Sequence, residues 1–136
     1  MSRAFQTPAW SLELPDGWEA VPRENYVEIR VPFPGAQLRV TSYRDETGRS
    51  SAADWLHATA QFNRQRARRV ISRRCGDFAG HETPFEAEHV WIRGWVLVAD
   101  GHGLDVDYRC ATADAGRDDS AVDAALSTLR LRRAAT

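Results

Sequence analysis

Residues 90–111 read VWIRGWVLVADGHGLDVDYRCA. Val90 to Ala99 is the most apolar segment of the chain, and the connection Asp100-Gly-His-Gly103 after it holds two glycines. From Leu104 the residues alternate: Leu104, Val106, Tyr108 and Cys110 fall on one side, and Asp105, Asp107 and Arg109 on the other. Two apolar runs across a glycine-bearing connection, one of them with period two, predict an antiparallel hairpin.

The same pattern extends outward. Upstream, Val70 to Asp77 and His81 to Glu88 read as two further strands, joined at Ala79-Gly80. Before them the period lengthens to that of a helix. Ser50 or Ser51 can cap it, it runs to about Arg66, and Ala52, Trp55, Leu56, Thr59 and Phe62 form one apolar stripe. Arg64, Arg66 and Arg68 stand at its C-terminal end, where cations suit the helix dipole. Three strands precede the helix: Trp10 to Leu14, Tyr26 to Val31, and Ala36 to Arg44. Pro15-Asp16-Gly17 turns the chain after the first, Pro fixing φ and Gly admitting positive φ. Downstream, Ser120 and Asp123 open a second helix in capping-box spacing, with Val122, Ala125, Leu126 and Leu129 as its buried stripe. Leu129 to Leu131 can close the domain as a short strand. Hairpins dominate and strand-helix-strand alternation is absent, so the fold class is α+β with an antiparallel sheet, one domain over residues 1–136.

Composition agrees with a globular domain: 43% hydrophobic and 27% charged residues, with five Trp, five Phe and three Tyr for a core. No apolar stretch approaches the roughly 20 residues that span a bilayer, and no leader is read at Met1 to Phe5. Cys75 and Cys110 do not make a disulfide framework, and reduced thiols in a cytoplasmic protein are expected. The net charge of −1 gives no global attraction to nucleic acid or membrane. All eighteen basic residues are Arg, either for bidentate recognition of carboxylate or phosphate or, the favoured reading, through the codon bias of a G+C-rich bacterial genome.

The segment WSLELPDGW (Trp10 to Trp18), the helix between two sets of strands, and the closing LSTLRLRR (Leu126 to Arg133) together resemble the PsbP-like superfamily. That group includes the photosystem PsbP protein, the Ran-binding Mog proteins, and bacterial DcrB-type and Eag-type proteins. The resemblance implies a sheet flanked by helices on both faces and used for binding protein partners rather than for catalysis. With no lipobox read, the chain looks most like the cytosolic Eag-type chaperones of secretion effectors. No functional residue carries over from it.

Reactive constellations are weak. His81 and His89 lie eight apart with Glu82, Glu86 and Glu88 between them, but HExxH spacing is absent, and Pro84 marks an edge or irregular strand whose charges keep it soluble. No metal or other cofactor is expected. Asp100 to Asp107 lacks the spacing and distal Glu of a calcium loop. No G-x-S-x-G elbow occurs. Cys110 reads as core, whereas Cys75 follows Arg73-Arg74, which could lower a thiol pKa. Arg64 to Arg74 holds six Arg in eleven residues with no aromatic inside the run, so a solvated helix end, not nucleic-acid binding, is expected.

One strand carries the candidate binding site. Val90, Ile92, Val96 and Val98 read as its core face, leaving Trp91, Arg93 and Trp95, followed by Leu97, on the other. Two Trp bracketing an Arg are the residue types of interface hot spots, and a helix lying over them is the competing account. Trp91, Arg93, Trp95 and Tyr43 are the expected binding residues, in a non-catalytic protein-binding module, a secretion-linked chaperone or adaptor. A small-ligand binder or enzyme with a sheet–helix pocket, and a protein self-associating as a homodimer through the strand His81 to Glu88, are the alternatives.

Overall fold

In a computed structural model of the chain, residues 3–44 and 52–132 are described. Ten strands and two α-helices, with a 3-10 turn at Thr112–Asp114 before the second, follow in the order β1 (Arg3–Gln6), β2 (Trp10–Leu14), β3 (Glu19–Pro22), β4 (Val27–Arg30), β5 (Gln37–Arg44), α1 (Ala52–Gln65), β6 (Ile71–Cys75), β7 (Phe78–Ala87), β8 (Val90–Ala99), β9 (His102–Ala111), α2 (Asp119–Leu126) and β10 (Arg130–Leu131). The fold is α+β, and every strand pairing is antiparallel.

Seven strands form one sheet in the order β3-β4-β5-β9-β8-β7-β6, and β1-β2-β10 form a second, small one. The expected hairpin of residues 90–111 is the centre of the large sheet, with Val90 opposite Ala111 and Ala99 opposite His102. Its turn is only two residues, Asp100 and Gly101, both at positive φ, a hairpin geometry that matches the right-handed twist of the strands. The preceding hairpin turns at Glu88-His89, again both at positive φ but without glycine. The β6–β7 hairpin turns at Gly76-Asp77 and not at Ala79-Gly80, because Gly76 can adopt φ 63°. Gly80 instead lies inside β7, where an added Cβ would come within 1.9 Å of the Val96 carbonyl oxygen.

The core fills the space between the two sheets. Trp10, Leu12 and Leu14 of β2 meet Ile29, Leu38, Val40, Phe78, Trp95, Leu97, Leu104, Val106 and Tyr108 of the large sheet, and Val122, Ala125, Leu126 and Leu129 close one side. The β8 faces are therefore the reverse of the sequence expectation: Trp95 and Leu97 point to the main core, while Ile92 and Val96 lie on the opposite face, beneath α1. Both faces of this strand are apolar because both are covered.

Helix α1 packs on that second face across β7 and β8. Its buried side is Trp55, Leu56, Thr59, Ala60 and Asn63; Phe62, expected in the stripe, is instead 54% exposed. Asn63 donates to the Thr83 hydroxyl, so the stripe ends in a hydrogen bond rather than a ring. The helix closes with Ala67 at φ 57°, its N–H bonding to the Arg64 carbonyl and that of Arg68 to the Asn63 carbonyl, a Schellman ending without the usual glycine. Ser50 and Ser51, the expected caps, lie outside the described residues.

Candidate functional site

The residue types singled out on β8 are held together by α2. Arg93 is 5% exposed and forms a two-pronged pair with Glu82 on β7, Nε to Oε2 at 2.7 Å and Nη2 to Oε1 at 3.0 Å. Arg73 on β6 donates to the same carboxylate at 2.9 Å. On its outer side Arg93 donates to Asp119 at 3.2 Å and to Asp123 at 2.8 Å, one turn apart on α2. Its guanidinium lies 4.6 Å from the centre of the Trp95 ring. Glu82 is 2% exposed; burial favours its neutral form, but the hydrogen bonds from Arg93 and then Arg73 outweigh this and hold the carboxyl below its usual pKa. A second tether lies at the start of α2, where the buried Tyr108 hydroxyl donates to Asp118. Burial, and then the bond to Asp118, push that phenol up.

The four expected binding residues thus separate. Trp95 is 1% exposed, Arg93 is buried, and Trp91 is half-buried against the core, so these three present a helix-docking junction rather than an open contact surface. The cause is the packing of β2 against this face and the tie from Arg93 to α2. Tyr43, at the end of β5, is 49% exposed and packs on Trp55 of α1 with ring centroids 5.6 Å apart. Glu82, Asp118, Asp119 and Asp123 complete the junction; sequence alone marks Glu82 as a strand charge and Asp123 as part of a capping box that the helix does not form, and marks none of the four as a partner of Arg93. The signal was present: Asp119 and Asp123, at helical i, i+4 spacing, offer two carboxylates to one cation.

The other chemical candidates resolve as follows. Cys75 is buried and its thiol is pushed up to about 11, first by burial and then by the Asp123 and Glu82 charges, which overcome Arg73 and Arg93. The lowering that Arg73 and Arg74 could give is therefore not realised, and Cys75 reads as an ordinary buried strand cysteine. Cys110 is also buried, and neither cysteine is in a disulfide. His81 is 5% exposed beneath α1, and neither ring nitrogen has a well-formed hydrogen bond among the described residues. Burial lowers its pKa, opposed by the Leu56 backbone and assisted by Arg64. Among the described residues no three His, Cys, Asp or Glu gather as a metal ion would need. The strand carrying His81 and Glu82 is not an outermost strand: β6 covers residues 78–82 of β7, and only residues 83–87, including Pro84, run past it. An open cleft of about 480 Å³ lies between the β1–β2 and β3–β4 connections, lined by Thr7, Ala9, Trp10, Tyr26, Val27 and Val40 among others.

No protein-family model and no curated protein sequence matches the chain. Solved structures do. A Bacteroides thetaiotaomicron protein is 14% identical with a TM-score of 0.70 over 91% of this chain, which spans only 45% of that protein. The cyanobacterial PsbP protein CyanoP of Synechocystis is 14% identical with a TM-score of 0.58, over 96% of this chain and 91% of that one. LpqN of Mycobacterium tuberculosis, involved in cell envelope biogenesis, is 12% identical with a TM-score of 0.57, over 97% and 91%. At such identities the likeness concerns the fold, and the fold of this chain is PsbP-like.

Proposed function

We propose that the chain is a non-catalytic protein-binding module, working in a bacterial cytosol as a chaperone or adaptor linked to secretion. The observation that carries this reading is the aromatic surface beside and upon α1. Tyr43 and Phe62 are 49% and 54% exposed, and exposed aromatic rings on a rigid layer are what protein interfaces use as anchors. The polar groups of the interior have another task, since Arg93 and its carboxylates hold α2. Of the expected binding residues Tyr43 is the exposed one, and this reading adds Phe62 to it. Among the described residues no helix is long and apolar enough to cross a bilayer.

The test is co-purification of the tagged chain from its host, beside a Tyr43→Ser, Phe62→Ser variant of unchanged thermal stability. A stoichiometric partner captured by the native chain and lost from the variant is expected. Equal capture by both removes the surface, and capture by neither removes the reading. The cleft beside Trp10 and Tyr26 supports a second reading, a small-ligand binder. Its mark is a ligand-induced rise in melting temperature that Ser42→Trp, at the exposed rim of the cleft, abolishes.

A further inference from the structure

The large sheet ends at β6, and β6 ends in solvent. Ser72, Arg73 and Arg74 are exposed, and among the described residues no main-chain group of 71–74 bonds to anything beyond the β7 ladder. Cys75 and Phe78 close the two-residue turn Gly76-Asp77. In antiparallel pairing hydrogen-bonded and non-bonded pairs alternate from such a closing pair, so the N–H and C=O groups of Ser72 and Arg74 point outward. An outermost strand with free main-chain groups is a template for another extended segment.

What lines this edge defines the segment. Arg68 and Arg69 precede β6, Arg73 and Arg74 lie on it, and Arg64 comes from the end of α1 close enough to influence His81. Among the described residues Arg64, Arg68, Arg69 and Arg74 make no ion pair, and Arg73 is the one engaged, through Nε, with Glu82. The adjacent carboxylates are occupied: Glu82 by Arg73 and Arg93, and Asp77 by the Leu131 N–H. A second copy of β6 would set arginines against arginines, so self-pairing here is disfavoured. Nucleic acid is the other polyanion to consider. Phe85, the ring beside this edge, is covered by Arg68 at 4.0 Å and is not offered to bases, and a phosphate backbone has no use for strand hydrogen bonds.

We propose that β6 is a docking edge for an extended, acidic segment of a protein partner. The segment extends the sheet beyond β6 through the main chain of Ser72 and Arg74. Its carboxylates, at alternate positions, pair with Arg74 and Arg64 on the α1 side of the sheet and with Arg69 where the strand begins. This deepens the protein-binding reading by naming a partner chemistry, and it uses a surface separate from Tyr43 and Phe62.

A short peptide alternating threonine and glutamate tests it. The peptide is expected to bind the full chain at low salt, more weakly as salt rises, and to slow hydrogen exchange at the Ser72 and Arg74 amides. Arg69→Glu with Arg74→Glu should weaken binding about tenfold, two exposed pairs being lost and two repulsions gained. Ser72→Pro, which removes an outward N–H but no ladder bond, should also weaken it. The Tyr43→Ser, Phe62→Ser variant should bind the peptide as the native chain does, so that loss of one surface is told apart from loss of the other. Binding of a thymidine oligonucleotide or of anionic vesicles with the same dependence on Arg69 and Arg74, and without protection of the two amides, would overturn the proposal in favour of a simple anion patch. Absence of peptide binding also overturns it, and leaves the Tyr43 surface to be judged by co-purification alone.

Discussion

Arg93 shows how one side chain can fix the arrangement of several elements. Its pair with Glu82 joins β8 to β7, its bonds to Asp119 and Asp123 hold α2, and its stacking on Trp95 seats the guanidinium over the core. A buried ion pair is costly to break from one side, since the remaining charge loses its partner in a medium that solvates it poorly. Arg93→Ala should therefore destabilise the chain by about 3–5 kcal/mol in urea unfolding. A loss below about 1 kcal/mol would mean that Glu82 is satisfied by Arg73 alone. The opposite case is Ala67, which holds φ 57° where glycine would rest without strain. Ala67→Gly should raise stability by about 1 kcal/mol, measured the same way; a decrease would show that flexibility gained in the unfolded chain outweighs the strain removed.

At the scale of elements, α2 is short and depends on its anchors. No side chain caps its N-terminus, and the Tyr108–Asp118 bond fixes the start of the helix to β9 instead. Removing the hydroxyl leaves the buried Asp118 carboxylate with only Arg117, itself exposed. Tyr108→Phe should cost about 1–3 kcal/mol and raise amide exchange in Asp119 to Leu126 before it does so in the central strands. Uniform exchange across the chain would show that α2 and the sheet open together. Sequence located both helices and most strands, because their periodicities are strong. It missed β1 and β3, four residues each with little alternation, which exist because neighbouring strands complete them. It also placed the β6–β7 turn at the wrong glycine. Two glycines stood close together, and only packing shows that one supplies positive φ and the other a close approach of strands.

For the whole molecule, the two faces of the large sheet respond differently to acid. His81 lies between sheet and α1 with a folded-state pKa lowered by burial, so the native form binds its proton less readily than the unfolded form. Stability from this group is complete above the unfolded value of about 6.5, falls as pH drops through it, and levels off below the folded value. Glu82, whose folded pKa is also lowered, contributes stability above the unfolded carboxylate value that is lost as pH falls through the folded one, by weakening the grip on α2. The melting temperature should thus decline in two stages from neutral pH downward. His81→Leu should remove the first stage and spare the second; a profile unchanged by that substitution would assign the decline to other groups.

Residue order alone determined the fold class, the central hairpin, the two helices and the resemblance to PsbP-like proteins, since these rest on local periodicity, turn chemistry and element order. Among the candidate site residues it singled out Tyr43, which the structure leaves exposed, and Trp91, Arg93 and Trp95 without determining what faces them. That last point was decided by tertiary structure. A strand that is apolar on both faces carries no local mark of which face meets the second sheet and which meets a helix. The choice depends on segments distant in sequence: β2, whose Trp10, Leu12 and Leu14 cover Trp95 and Leu97, and α2, whose Asp119 and Asp123 sit 26 and 30 positions from Arg93. The arginine run is the same case reversed: its sequence reads as a solvated helix end, and only the strand order places it along an unpaired edge.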